Sequence, residues 1–142
     1  MLLDGINHLA MISKDIDRLR AFYTDVFEAE VGPTEPHGDK GDETMTTIRI
    51  GPHTELNVFT IRGNPEPERQ TPMWGRGRLD HFGLQAACAR SFDTIRERLM
   101  KCGASDGSVN DFGSVRSLFF RDPDGLEGEV LIAEDSAARR EK

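Results

Sequence analysis

The sequence predicts a duplicated α+β fold in which one unit, a strand followed by a helix and three further strands, occurs twice. Two apolar segments headed by a histidine, 6–12 and 79–86, each precede an amphipathic helix and then more strand-like segments. Aligning His8 with His81 gives an offset of 73 residues (81 − 8 = 73), which places the first helix opposite 88–100. An internal repeat determines the whole fold, and one helix for four strands argues against a parallel α/β sheet.

The first half, 4–62, shows the unit in its first copy. Apolar residues recur at helical spacing across 15–27, and Ser13 or Asp15 is placed to cap that helix. The stretch 35–43 is predicted as a polar turn region because of its composition. The elements are predicted at 6–12 (strand), 15–27 (helix), 30–33 (short strand), 44–50 (strand) and 55–61 (strand).

The second half, 79–134, repeats this order after a segment rich in proline, glycine and charge, 63–78, which is predicted as a linker. Ser91 is predicted to cap the second helix, and Gly103 to end it in the left-handed conformation. Residues 135–142 are predicted as a tail. The elements are predicted at 79–86 (strand), 91–102 (helix), 108–111, 115–121 and 126–133 (strands), with a turn at 122–125.

Length, charge and cysteine content exclude several classes of protein. A chain of 142 residues can bury a core without disulfides, and Cys88 and Cys102 are too few for a disulfide framework. The net charge of −7, with no dense Lys/Arg cluster, argues against a nucleic-acid partner. No signal-peptide pattern and no uncharged stretch of roughly 20 residues is present. We therefore expect a cytoplasmic protein with no membrane and no nucleic acid as partner.

His8, His81 and Glu129 are candidate ligands for a divalent metal. Side chains alternate between the faces of a strand, and in all three segments the bulkiest apolar residues lie mostly opposite the candidate ligand. Those apolar faces can pack on the helices, which leaves the ligand faces for a cavity. Neutral imidazole and carboxylate are the ligands of non-haem iron and related sites. His37 and His53 lie in polar loop contexts and are predicted to be solvated.

Four local motifs carry a resemblance to a known family. They are Asn7-His8 on the opening strand, 22–27 at the end of the first helix, Asp80-His81 at the start of the second half, and 122–125 ahead of Glu129. With these motifs the chain resembles the vicinal oxygen chelate superfamily, also called the glyoxalase, bleomycin-resistance and extradiol dioxygenase family. The resemblance implies two βαβββ modules that form an eight-stranded cup, with the helices outside and the ligand or metal within.

The resemblance also implies a ligand set. His8 matches the metal-ligand position of the first strand, His81 that of the fifth, and Glu129 that of the last. The fourth position, on the last strand of the first half, is open between Glu55 and Asn57.

The repeat does not decide the fourth position, because Glu129 minus 73 is Leu56 and a slip of one residue exchanges the strand faces. Counting back from Gly63 favours Asn57, while side-chain chemistry favours Glu55.

The resemblance predicts a divalent-metal-dependent enzyme that acts on a small oxygenated substrate. Three ligands, two histidines and one carboxylate, suit Fe(II) and oxygen activation, as in ring-cleaving dioxygenases. A fourth ligand at Glu55 suits Lewis-acid chemistry of a lyase or isomerase, with Glu129 or Glu55 as base. We expect iron in preference to Mn, Ni, Zn or Co, and Glu129 as the catalytic residue.

The alternative is a metal-free protein that binds and sequesters a drug or metabolite, as the bleomycin-resistance branch does. The acidic charge suits a cationic ligand, but such binders generally do not keep the metal set. The resemblance also implies a homodimer, in which both subunits supply ligands if the modules pair between chains.

Overall fold

The structure, a computed structural model, describes residues 1–2, 4–38, 41–77 and 79–133 and contains two four-stranded sheets, each with one helix. The elements are β1 (His8–Ile12), α1 (Ile16–Phe27), β2 (Glu30–His37), β3 (Glu43–Arg49), β4 (Glu55–Ile61), β5 (Phe82–Gln85), α2 (Ala89–Lys101), β6 (Asn110–Asp111), β7 (Val115–Arg121) and β8 (Glu127–Ala133). The predicted α+β class and the duplicated βαβββ order are confirmed. None of the helices in the described residues, including a short 3₁₀ helix at Glu66–Glu68 in the predicted linker, is long and apolar enough to span a membrane.

Both sheets have the same topology. Their strand orders are β1-β4-β3-β2 and β5-β8-β7-β6. In each, the first strand runs parallel to the last, and the other pairs are antiparallel. The chain divides into two compact units, Met1–Arg69 and Gln70–Lys142, which we call module one and module two. The boundary falls inside the segment predicted as a linker, and the predicted tail at 135–142 lies outside the described residues.

The core of module one lies between α1 and one face of its sheet. Asp15 is the N-cap of α1, and its side chain accepts a hydrogen bond from the backbone N–H of Arg18 at 3.1 Å. The strand partners His8 and Glu55 lie on the face opposite to Leu56. The core therefore leaves the face with the candidate ligands uncovered by α1. The buried residues of this cluster are Leu19, Tyr23, Ala29, Ile48, Leu56 and Val58.

The second helix keeps the predicted offset, because α1 begins at 16, α2 begins at 89, and 16 + 73 = 89. Ser91 is not its cap, so that prediction is wrong. The N-cap is Cys88, which makes no side-chain capping bond, and Ser91 lies inside the first turn with its Oγ 3.3 Å from the Cys88 Sγ. Gly103 ends the helix with φ +73° and donates its N–H to the Met100 carbonyl, as predicted.

β2 and β5 differ most in length from their predictions. β2 continues to His37, into the stretch predicted as a turn, because Thr34 to His37 pair with β3. This strand lies at the edge of its sheet, a position that tolerates Pro36 although proline has no backbone N–H to donate. β5 is shorter than predicted, because only Phe82–Gln85 pair with β8. His81 therefore directly precedes the strand on which it was predicted.

Candidate functional site

His81 is held by the residue before it. Its Nδ1 lies 3.0 Å from Oδ2 of Asp80, and a carboxylate only accepts hydrogen bonds, so Nδ1 is the donor. This bond lowers the pKa of the Asp80 carboxyl, and the backbone N–H of Trp74 and the charge of Arg76 lower it further. The tautomer that results leaves the Nε2 lone pair available, which is how protein sites commonly orient a metal-binding histidine.

Glu129 faces that free nitrogen. Its Oε2 lies 3.7 Å from His81 Nε2, and the two side chains are 13% and 24% exposed. Two donors that each lie about 2.0–2.2 Å from one cation are at most about 4.4 Å apart, so the 3.7 Å separation of this pair is compatible with a shared metal ion. Glu129 alternates along β8 with the buried residues Gly128 and Val130, which turn to the other face.

Gly83 keeps the space beside this pair open. It is the register partner of Glu129 in the β5–β8 ladder, and it has no side chain. A Cβ at Gly83 would lie 2.7 Å from the Leu131 Cδ1 and 4.0 Å from Glu129 Oε2. Any larger residue would therefore narrow the region in front of the carboxylate.

His8 in module one has the same local arrangement. Its Nδ1 lies 2.8 Å from Oδ1 of Asn7, again the preceding residue. The amide oxygen accepts a hydrogen bond from the Nδ1–H group, so the lone pair on Nε2 of this exposed histidine is also left available. The two motifs quoted from the sequence, Asn7-His8 and Asp80-His81, thus perform the same local function in the two modules.

The strand registers identify the equivalents that the sequence left open. Ala10 pairs with Asn57, and its counterpart Gly83 pairs with Glu129. Asn57 is therefore the structural equivalent of Glu129. The offset between the last strands is 72 residues (129 − 57 = 72), one less than between the first strands, which explains why a single offset placed Glu129 opposite Leu56.

Glu55 is engaged by an arginine. Its Oε1 lies 3.6 Å from Nε of Arg49, whose Nη1 also lies 3.3 Å from Oε2 of Glu30. Its counterpart in module two is Glu127 (127 − 55 = 72), which is paired with Arg76. At this position of each module, a guanidinium thus balances the carboxylate.

Arg76 is the site residue that sequence reasoning missed. Its side chain is 11% exposed, and its Nη2 donates to Glu127 Oε2 at 2.5 Å. Its Nε donates to the Thr71 carbonyl at 2.7 Å, and its Nη1 donates to the Asp80 carbonyl at 3.2 Å. The same Nη1 lies 3.6 Å from the Asp80 carboxylate. The only sequence signal was an arginine four residues before an aspartate in a segment that was predicted as a linker.

The predicted ligands thus come together in part. Module two brings His81 and Glu129 together, and module one pairs His8 with Glu55 and Ala10 with Asn57 in the β1–β4 register. Within either module, the described residues contain no group of three His, Cys, Asp or Glu side chains that is arranged to bind a metal.

The family is decided by comparison with known sequences. The profile of the Glyoxalase/Bleomycin resistance protein/Dioxygenase superfamily matches residues 5–130. The chain belongs to this superfamily. The match covers both modules and includes the two histidine motifs and Glu129.

Solved structures of this superfamily have the same fold. A glyoxylase/bleomycin resistance protein/dioxygenase domain from Frankia sp. EAN1pec is 21% identical with a TM-score of 0.76, and 94% of each chain is covered. A lactoylglutathione lyase from Agrobacterium tumefaciens is 22% identical with a TM-score of 0.63, covering 93% of this chain and 96% of that one. At these identities, the similarity shows the fold and not the activity.

A third structure contains a metal. It is a mutant of the fosfomycin resistance protein FosX from Listeria monocytogenes, complexed with Mn(II) and 1S,2S-dihydroxypropylphosphonic acid. It is 21% identical with a TM-score of 0.61, and 91% of this chain and 92% of that chain are covered. Proteins of this fold therefore include one that holds a divalent metal with a small oxygenated molecule.

Proposed function

We propose that this protein is a divalent-metal-dependent enzyme that acts on a small oxygenated substrate, with the metal held by His8, His81 and Glu129. The observation that carries the proposal is the pairing of His81 Nε2 with Glu129 at 3.7 Å, while Asp80 holds the opposite ring nitrogen. The donors fit, because imidazole and carboxylate suit iron, manganese and related divalent ions. Bound there, such an ion supplies Lewis-acid polarisation of substrate oxygens or, if it is iron, redox chemistry with dioxygen.

The residues at the fourth position favour the three-ligand form. Asn57, the equivalent of Glu129, has no charge, and the carboxylate of Glu55 is engaged by Arg49. Two histidines and one carboxylate leave open positions, which is the arrangement of non-haem iron oxygenases. A dioxygenase-like reaction is therefore favoured over a lyase- or isomerase-like one, and iron over Mn, Ni, Zn or Co.

The protein groups around the site have separate roles in this proposal. Asp80 fixes the orientation of the His81 ring, and Arg76 balances the charge of Asp80 and Glu127. Glu129 is partly withdrawn from water, and in this proposal its carboxylate accepts a proton from a substrate hydroxyl that enters beside Gly83. We further propose a cytoplasmic homodimer, as the resemblance implies, with a small molecule as substrate.

The test is metal content with matched histidine variants. Protein without a histidine tag is purified anaerobically without chelator, and its metals are measured by mass spectrometry. We expect a near-stoichiometric metal in the wild type and in His53→Ala, which removes an exposed histidine outside the site. His81→Ala is expected to lose the metal, and His8→Ala to bind it more weakly.

The same measurement separates the proposal from its alternative. A metal-free binding protein of the bleomycin-resistance type should contain no metal, even after anaerobic reconstitution with Fe(II) or Mn(II), and should bind its ligand equally well in the presence of a chelator. Equal metal content in the His81→Ala variant and the wild type would instead place the metal elsewhere.

A further inference from the structure

The single tryptophan of the chain is exposed at the edge of the candidate metal site. Trp74 is 82% exposed, and its ring centroid lies 6.4 Å from that of His81 with the ring planes at 74°. A large aromatic side chain left in water forgoes the stabilisation that burial would give it. Its position next to a candidate ligand makes it a candidate for substrate contact.

The backbone holds Trp74 in an uncommon conformation. Its φ is +66°, which is rare for a bulky residue other than glycine. The conformation is fixed because the Trp74 N–H donates to Oδ1 of Asp80 at 2.5 Å, while the other oxygen of that carboxylate accepts from His81. One carboxylate thus holds the His81 ring and the Trp74 backbone.

Arg76 anchors the same segment to the sheet. It spans from the Thr71 carbonyl to the Glu127 carboxylate, and the N–H of Gly75 closes a turn on the Pro72 carbonyl at 3.0 Å. The backbone that carries the exposed indole is therefore pre-organised, so little backbone conformational entropy is lost when a ligand packs on the ring. Maintaining a strained residue in this way is typical of functional positions.

A second aromatic ring, that of Phe119 on β7, also lies beside His81. The Phe119 centroid is 5.4 Å from that of His81 with the planes at 71°, and Phe119 is the register partner of Glu129. His81 therefore has two aromatic neighbours, Trp74 and Phe119, next to the carboxylate that would share its metal. Aromatic rings pack well against other rings in edge or offset geometry.

We propose that Trp74 contacts the substrate, and that the substrate carries a planar aromatic ring next to the oxygens that chelate the metal. This inference rests on the proposed function. Trp74 is a specificity residue and not a metal ligand, so removing it is expected to change which chelators are preferred without changing the metal content.

Two hydroxamates test this inference, because they share one chelating group and differ in the ring. Acetohydroxamate and benzohydroxamate are titrated by calorimetry into Mn(II)-loaded wild type, Trp74→Ala and Trp74→Phe. Phe112→Ala, which removes another exposed aromatic residue of module two, is the control. Circular dichroism checks the fold of each variant.

We expect Trp74→Ala to lower the preference for benzohydroxamate about two- to tenfold, with acetohydroxamate affinity and metal content unchanged. Trp74→Phe should retain most of the preference, and Phe112→Ala all of it. An unchanged preference in Trp74→Ala, or an equal loss for both ligands, would overturn the role of Trp74. Failure of the wild type to bind both Mn(II) and, under anaerobic conditions, Fe(II) would instead overturn the proposed function, and this inference with it.

Discussion

Asp122 is a buried carboxylate that makes the stability of this fold depend on pH. It is 5% exposed, and its Oδ1 accepts the N–H groups of Asp124 and Leu126, each at 2.9 Å. Within the described residues its Oδ2 has no hydrogen-bond partner. Burial raises the pKa of Asp122 to about 6, and the nearby Asp124 charge adds to the increase.

The size and sign of the effect follow from this pKa. The usual value of 3.8 applies to the unfolded chain, so between about pH 4 and pH 6 the folded protein binds the proton more strongly. The stabilisation is complete below the unfolded pKa and is lost as the pH rises through the folded pKa. A shift of about two units corresponds to about 3 kcal/mol.

Asp122→Asn removes the ionisation and keeps an oxygen for both N–H donors. We therefore expect the free energy of unfolding of this variant, relative to that of the wild type, to increase by about 2–3 kcal/mol from pH 4 to pH 7. The assay is urea unfolding of metal-free protein at four pH values. Asp93→Asn, which removes an exposed charge on α2, is the control and should show no such increase. A difference between Asp122→Asn and wild type that stays constant with pH would refute the reasoning.

Three further predictions concern the site. Arg76→Met leaves two partly buried carboxylates unbalanced and is expected to cost about 3 kcal/mol in urea unfolding, whereas Arg49→Met, at a 56% exposed side chain, should cost about 1 kcal/mol or less. Asp80→Asn is expected to weaken metal binding about 10- to 100-fold by calorimetry, and unchanged affinity would contradict its orienting role. Gly83→Ala should reduce the metal content, because the added Cβ would lie 2.7 Å from the Leu131 side chain, beside the Glu129 carboxylate. Gly51→Ala is the control and should leave the metal content unchanged, since a Cβ there meets nothing within 4 Å.

The repeat made most of the fold predictable from the sequence. The offset of 73 residues located both helices, because apolar residues at helical spacing occur at corresponding places. The end of β2 was not predictable, since its polar residues and Pro36 form a strand only through pairing with β3. Amino-acid composition indicates the local conformational preference of a segment, whereas the length of an edge strand depends on its pairing with the neighbouring strand.

The proximity of His81 and Glu129 was predictable from the sequence, whereas the residues that hold them in place were not. His81 and Glu129 come together as the strand faces indicated. The choice between Glu55 and Asn57 needed the strand register, because one residue is lost between the first and last strands of the repeat. Arg76 could not be predicted, since a guanidinium in a proline- and glycine-rich segment gives no sign of what it contacts.

The two histidines have neighbours of different charge, although the modules are copies of one unit. Asp80 presents a carboxylate to His81, whereas Asn7 presents a neutral amide to His8. A carboxylate makes the imidazole a stronger electron donor than an amide does. The two modules therefore present a stronger and a weaker imidazole donor at equivalent positions. In the proposed site His81 would hold the ion more tightly than His8 would, so replacing His8 should cost less metal affinity than replacing His81.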